Sequence, residues 1–448
     1  MPDDNHEATV NNVMQFRGKR ASHGLGGYAQ LMEHYALQYA TNMVWDCLRM
    51  QPMRVADLRH AFGNAVVREW LDSPGRRLIY EVRFDPGADA DPDALNLFRG
   101  FAIEPKEGDF QPMLDLLMHL CSESADTDLG RADLVAWLLR WLALPLQQPG
   151  TKMHTALVFH GPEGAGKNQF FEGVASIYGQ HAGIVGQYQL ESQLNDWASG
   201  KLLVIGDEVV TRQEMRHHKG GLKALVTGSV ININAKMQPL RQERNCMNLV
   251  FLSNELQPLA LDEGDRRYAV VYTPPPREKA FYARVGAWMK AGGMAAFMHY
   301  LLGLDLADFH AWTPPPLTKA KADLIELGLS APDRFAKEWL AQLIALPVAP
   351  CTHEQLFSAY RKWCDRTGVP RSGEQAAFSR AVARTGRDRL LNKQVNLLLP
   401  SGSRKTARCW IPRDALDTSG MSEGAWMQAR AEDFAQMLRD FRGEDSRP

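Results

Sequence analysis

Gly161, Pro162, Glu163, Gly164, Ala165, Gly166, Lys167 and Asn168 form the run in this chain whose residue types and spacing are best suited to chemistry. Glycines so placed let the backbone curl until successive N–H groups face one point, and the lysine that follows adds a cation there. Such a cradle suits the β and γ phosphates of a nucleoside triphosphate such as ATP, all the more if a helix starts at its end and adds its positive dipole. The position after the lysine ordinarily holds a hydroxyl that ligates Mg²⁺; here it is Asn168, whose amide oxygen is also a hard ligand. Metal binding is expected to be altered rather than lost, and the efficiency of hydrolysis is what the substitution bears on.

Two more groups of polar residues end apolar runs downstream. Lys201-Leu-Leu-Val-Ile-Gly-Asp207-Glu208 reads as a buried strand with two carboxylates at its tip: Asp207 to hold Mg²⁺, Glu208 to polarise an attacking water. Asn248-Leu-Val-Phe-Leu-Ser-Asn254 repeats the pattern with an amide that can orient that water. Arg266 and Arg267 precede a last strand, Ala269 to Tyr272, and are candidates to reach into a neighbouring subunit's site.

To act together these groups need strand ends and helix starts. Thr155 to Phe159 is a short buried-strand pattern leading into the glycine loop, and a helix is expected from Gln169 to Tyr178. The chain of 448 residues is too long for one core. Its punctuation gives a flexible lead-in over 1–27, an N-terminal α+β and helical domain over 28–146, and an ATPase core over 150–276. A helical segment over 277–329, a basic domain over 330–413 and an amphipathic helix or tail over 414–448 follow. In the first domain a helix is expected from Arg54 to Leu71, with β-like segments at Leu78 to Phe84 and Leu95 to Ile103. A tryptophan-rich helix from Ala132 is expected to stop before Pro145. The carboxylates between Asp85 and Asp93 read as a solvated turn, because they lack the glycine and final glutamate of a calcium loop.

A formal net charge of −1 excludes a protein that coats duplex DNA over its whole surface, so any nucleic-acid contact must be local. The six cysteines form no C-x-x-C pair, which speaks against a structural zinc site or a secreted disulfide framework. No basic start with an apolar run and no long apolar stretch occurs, so a cytoplasmic protein without membrane attachment is expected.

The phosphate loop, the Asp-Glu strand and the asparagine-tipped strand lie close together between Gly161 and Asn254, and this order resembles superfamily 3 helicases, a branch of the AAA+ ATPases. Between the second and third motifs those proteins carry a lysine-bearing helix and a hairpin that enters a central channel. This sequence offers Lys219 to Gly228, with Lys223, and then Val230 to Met237, with Lys236 and Met237 at the expected tip. Leu95-Asn-Leu-Phe-Arg-Gly-Phe101 and the pair Arg266-Arg267 are similar to features of the phage and plasmid primase-helicases. The resemblance covers about residues 78–330. It implies an α/β fold with an AAA+ P-loop core and parallel sheet, ATP and Mg²⁺ as cofactors, and a homo-oligomeric ring, a hexamer in that family. It further implies translocation on single-stranded DNA, 3′ to 5′, in the replication of a phage, plasmid or related element. The residues before Leu95 leave no room for a primase domain, so a separate primase or other replication proteins are expected as partners.

Residues 351–413 hold thirteen Lys or Arg against four Asp or Glu. Helices over Thr352 to Thr367 and Glu374 to Thr385, then a hairpin from Val395 to Leu399 and Arg408 to Ile411, resemble a winged-helix domain. Arg380, Arg384, Arg387 and Arg389 would then face duplex DNA. Two other functions stay open at this point: an ATP-dependent origin-melting initiator, and a non-hydrolysing ATP-gated DNA-binding module, which Asn168 keeps in play.

Overall fold

The computed structural model describes residues 27–87, 91–208, 219–234, 240–259, 261, 264–369, 373–398, 402–415 and 420–442. The chain divides into two compact units, Met1–Leu324 and Ile325–Pro448.

The first unit begins with a small sheet of β1 (Tyr35–Gln38), β2 (Met43–Asp46), β3 (Gln51–Arg54) and β4 (Arg77–Ile79), in the order β3-β2-β1-β4. The expected helix from Arg54 to Leu71 is two helices, Val55–Phe62 and Asn64–Asp72, because Gly63 sits at φ 84° and redirects the chain. Leu58, Val67 and Trp70 close on Leu31 and Val44 as its core. The expected segment Leu78 to Phe84 is divided between β4 and β5 (Glu81–Arg83), and of Leu95 to Ile103 only β6 (Ala94–Asn96) is a strand, paired parallel with β5.

Asn96, the asparagine of the Leu95 to Phe101 motif, explains why an amide is needed there. Its Oδ1 accepts from the backbone N–H of Asp85 at 3.1 Å and of Phe98 at 3.0 Å, while its Nδ2 donates to the Asp85 carbonyl at 2.6 Å. The stapled segment presents Phe84 and Phe98 to the ring of His181, at 5.1 and 5.2 Å, and Phe101 to Tyr178 at 5.4 Å. The small domain is thereby docked on the end of the helix that follows the glycine loop.

The centre of the unit is a sheet of five parallel strands, β7 (Ala156–His160), β8 (Ala182–Gly186), β9 (Leu203–Asp207), β12 (Asn248–Ser253) and β13 (Tyr268–Tyr272), in the order β13-β7-β12-β9-β8. β7 and β12 are buried at every position, as strands covered on both faces must be. Helices Gln111–Leu120, Asp128–Gln147, Lys167–Tyr178, Lys279–Lys290 and Gly293–Leu302 supply the covering layers and share one apolar core with it. The tryptophan-rich helix runs through Pro145 to Gln147 rather than stopping. Burial of Leu144 and Leu146, and hydrogen bonds from the Gln147 amide to the Leu301 and Leu304 carbonyls at 2.9 and 2.8 Å, hold its last turn. Two such leucines bring about 1.5–3 kcal/mol each, enough to offset the roughly 3 kcal/mol that a helical proline costs.

Outside the sheet, helix Lys219–Thr227 leads into an antiparallel pair, β10 (Val230–Ile233) and β11 (Arg241–Arg244). Asn195 clasps its outer end, donating to the Asn232 carbonyl at 2.8 Å and accepting from the Asn234 N–H at 2.7 Å. Lys236 and Met237 lie outside the described residues.

The second unit packs helices Ala331–Leu340, His353–Thr367 and Gln375–Thr385 around Phe335, Trp339, Tyr360, Trp363 and Phe378. Against them lies a three-stranded antiparallel sheet, β14 (Cys351–Thr352), β15 (Leu390–Leu398) and β16 (Arg404–Pro412), in the order β14-β16-β15. The hairpin is longer than its apolar pattern suggested, since the polar residues of its outer half also pair. The amphipathic C-terminal helix, Glu423–Asp440, packs on this chain's own hairpin through Trp426, Met427 and Ala431. Among the described residues no helix is long and apolar enough to cross a membrane.

Candidate nucleotide-binding site

β7 runs straight into the glycine loop, and helix Lys167–Tyr178 begins on the lysine. Gly161 has φ 132°, and a Cβ there would stand 2.7 Å from the Thr273 carbonyl oxygen and from its Oγ1. Gly166 has φ 98°, and its Cβ would stand 2.9 Å from Leu116 and from the ring of Tyr282. Both glycines are thus required by backbone conformation and by the lack of room.

Lys167 is buried, and its Nζ donates to the carbonyls of Gly161 and Pro162, each at 2.9 Å. Burial pushes its pKa down, and the carboxylates of Asp207 and Glu163 pull the other way. Asn168 donates through Nδ2 to Asp207 Oδ2 at 3.0 Å, so the amide nitrogen faces the carboxylate and the amide oxygen is left for other partners. Asp207 is the last residue of β9, and Glu208 after it is exposed with φ 52°, an uncommon conformation for a residue other than glycine. That turn lifts the glutamate off the strand direction at the sheet edge.

Because β12 lies between β7 and β9, the loop after β7, the Asp207-Glu208 tip of β9 and Asn254 beyond β12 stand on three adjacent strands. Pairing of Ser253 with His160 and of Phe251 with Gly206 sets their ends level. They enclose a cavity of about 310 Å³ lined by Glu163 to Gln169, Asp207, Glu208, Leu252 to Asn254 and Tyr282. Oxygen donors from Asn168, Asp207 and Glu208 in one wall, next to a lysine and a helix N-terminus, form a donor set that fits a hard divalent cation and a polyphosphate.

Tyr282 carries no signal in the sequence, since it comes from helix Lys279–Lys290, far along the chain. Its hydroxyl lies 3.2 Å from the Ala165 carbonyl and 3.2 Å from His119 Nε2, and it accepts from the Arg277 N–H at 2.9 Å. Gln169 donates to its carbonyl at 3.0 Å. His160, at the end of β7, stands with Nδ1 3.3 Å from the Glu255 carbonyl and so braces the turn that carries Asn254.

Arg266 and Arg267 lie at the start of β13, the opposite edge of the sheet, and neither lines the cavity. Arg267 pairs with Asp265 in a two-pronged bridge that holds the buried carboxyl below its ordinary range, whereas Arg266 is exposed. A strand of five residues spans about 16 Å. Arg266 therefore has no path to the cavity of its own chain.

In the second unit Arg380, Arg384, Arg387 and Arg389 are all exposed. Arg384 is bound to Asp333, and Arg389 donates to the Leu340 carbonyl at 2.6 Å. Lys223 lies on helix Lys219–Thr227, apart from the cavity lining.

Residues 159–267 match the model of a family of unknown function (DUF5906). Over 180 residues the chain is 27% identical to a DNA primase-polymerase of Nitratiruptor phage NrS-1, covering 40% of this chain and 24% of that protein. The chain thus spans about a quarter of the length of the curated relative it matches. An apo structure of the NrS-1 C-terminal region superposes with a TM-score of 0.59 at 16% identity, covering 86% of this chain and 97% of that one. An A-form apo structure of the same region gives 0.62 at 15% identity, over 88% and 100%. The mixed α/β architecture with its parallel sheet is therefore shared with the C-terminal region of a phage replication enzyme.

Proposed function

We propose that the chain is an ATP-driven DNA motor of the superfamily 3, AAA+ type, serving the replication of a phage or related element. The observation that carries this reading is the convergence of Lys167, Asn168, Asp207, Glu208 and Asn254 on one cavity from the ends of three neighbouring parallel strands. In it the loop from Gly161 to Asn168 holds the ATP phosphates, with Lys167 on the β and γ groups. Asn168 and Asp207 would hold Mg²⁺, which would supply neutralisation of charge on the phosphates. Glu208 activates the attacking water and Asn254 orients it.

Since Arg266 is exposed at the far edge of the sheet, it serves a neighbour's cavity, and the working form is a ring, taken as a hexamer. Arg267 instead keeps Asp265 in place beside it. Lys223 and the hairpin that bears Lys236 and Met237 would contact single-stranded DNA, moved 3′ to 5′. The second unit is read as a winged-helix domain for duplex DNA, with priming left to a separate protein. The similarity to a phage DNA primase-polymerase supports a place in replication.

ATP turnover with and without single-stranded DNA, followed by strand displacement on a tailed duplex, tests the reading. DNA-stimulated turnover with displacement is expected. No ATP hydrolysis under either condition would overturn it in favour of an ATP-gated binding module.

A further inference from the structure

The outer half of the β15–β16 hairpin has two unlike faces. Directly paired residues of an antiparallel ladder point to one side, so the register from Leu390↔Pro412 to Leu398↔Arg404 sorts the side chains. Val395, Leu397, Cys409 and Ile411 form the back, sealed by the C-terminal helix. The lysines of that side are matched by carboxylates, Lys393 with Glu423 at 2.5 Å and Lys405 with Glu354 at 3.7 Å.

The front carries Gln394 opposite Arg408 and Asn396 opposite Thr406, with Arg404 beyond them, all exposed. Thr406 donates to Asn396 Oδ1 at 2.8 Å, which shows the two side chains on the same face. Neither strand contains an Asp or Glu, and among the described residues no carboxylate lies within salt-bridge distance of Arg404 or Arg408. Two of the four arginines around the neighbouring helix, by contrast, are exposed but already hold a partner, Asp333 and the Leu340 carbonyl.

We infer that this ribbon face reads base edges in the major groove of duplex DNA, giving the C-terminal unit a sequence preference. The inference goes beyond the proposed motor and rests on it only for DNA being the polymer. A two-stranded ribbon fits a groove about 12 Å wide, and the five residues from Gln394 to Leu398 reach about 17 Å along it. Glutamine and asparagine suit adenine and arginine suits guanine, while an apolar back packed on a helix leaves the front free to lie on the groove floor. Single strands are bound by exposed aromatic rings, and the front has none: Trp410, its one aromatic residue, is buried beneath the stacked ring of His353 at 4.2 Å. The major groove of an RNA duplex is too narrow to admit the ribbon.

The test is selection of bound duplexes from a randomised DNA library by the full-length protein, with affinities then measured for the enriched sequence. The wild type is expected to enrich one motif. The double variant Gln394→Ala, Asn396→Ala should lose preference at the base pairs those amides touch, roughly 5–150-fold for each, while its affinity for unrelated duplex changes less than about twofold. Arg404→Ala with Arg408→Ala should weaken binding to the enriched motif more than to unrelated duplex. No enriched motif, an unchanged motif in the amide variant, or a loss of single-stranded DNA or duplex RNA affinity in the ribbon variants as large as their loss for the enriched duplex would each overturn the inference. DNA-independent ATP turnover, measured on the same preparations, reports on the motor separately: a protein that selects a motif without hydrolysing ATP sinks the motor and leaves the ribbon site standing.

Discussion

Two lysines, Lys167 buried and Lys152 half-buried, sit at opposite edges of the same sheet with nearly the same contacts. At the carboxyl edge Lys167 donates to the Gly161 and Pro162 carbonyls; at the amino edge Lys152 donates to the Leu225 and Met247 carbonyls. What differs is the surroundings. Lys167 opens on a cavity shared with Asp207 and Glu208; burial lowers its pKa, and the carboxylates of Asp207 and Glu163 oppose that shift. Lys152 has no carboxylate among its influences, and burial pushes its pKa down to about 7. Around it Asn245 donates to the Leu225 and Gly228 carbonyls at 3.1 and 2.8 Å, and Asn248 ties the Thr151 and Met153 backbone. One lysine is placed to meet a ligand, the other to knot helix Lys219–Thr227 and the base of the hairpin to the start of β12. Contact pattern alone does not separate a functional cation from a structural one; the groups left over around it do.

The comparison breaks most visibly at nucleotide binding. Lys167→Ala should weaken ATP binding roughly a thousandfold, the sum of two charge-assisted contacts, whereas Lys152→Met should leave it within about twofold. Equal losses in a titration with a fluorescent nucleotide would show that both lysines act through the fold. Glu208→Gln should keep ATP affinity and slow turnover by roughly a hundredfold, the scale of a lost general base; unchanged steady-state turnover would remove Glu208 from the chemistry.

For stability the order reverses. Lys152→Met strands the Met247 carbonyl at about 1–3 kcal/mol, Leu225 keeping its bond from Asn245, and denaturant unfolding should show it, with Lys167→Ala much nearer to wild type. The pH dependence carries a sign. Lys152 is held near 7 when folded against 10.5 ordinarily, so between those values the unfolded chain binds the extra proton. Wild type should therefore gain stability over Lys152→Met as pH rises from about 7 toward 10, and a flat difference across that window would mean the ammonium is not buried as described. The arginine pair gives a further contrast: Arg267→Ala, which leaves the buried Asp265 unpaired, should cost about 3 kcal/mol of stability, while Arg266→Ala should cost less than about 0.5 kcal/mol and lower turnover only in the assembled protein. A stability loss from Arg266→Ala equal to that from Arg267→Ala would return both to structure.

The glycine loop was legible because its chemistry is local: glycines, lysine and helix start act within eight consecutive residues. Asp207 and Asn254 could be picked out for a similar reason, as polar tips on apolar runs. The sequence alone thus determined which apolar strands end in polar residues and that the chain mixes a parallel sheet with helices. That β12 inserts between β7 and β9 and closes the site was left to the tertiary structure, because strand order depends on which faces bury together rather than on chain order. The same holds for Tyr282, brought to the cavity by a helix packed over the loop, and for Pro145, where burial outweighs a local breaker. Charge was the least legible property. Arg267, Arg384 and Arg389 look like Arg266 and Arg380 along the chain, and only the folded neighbours, Asp265, Asp333 and the Leu340 carbonyl, decide which cations acquire a fixed partner, since an ion pair depends on distance in space and not along the backbone.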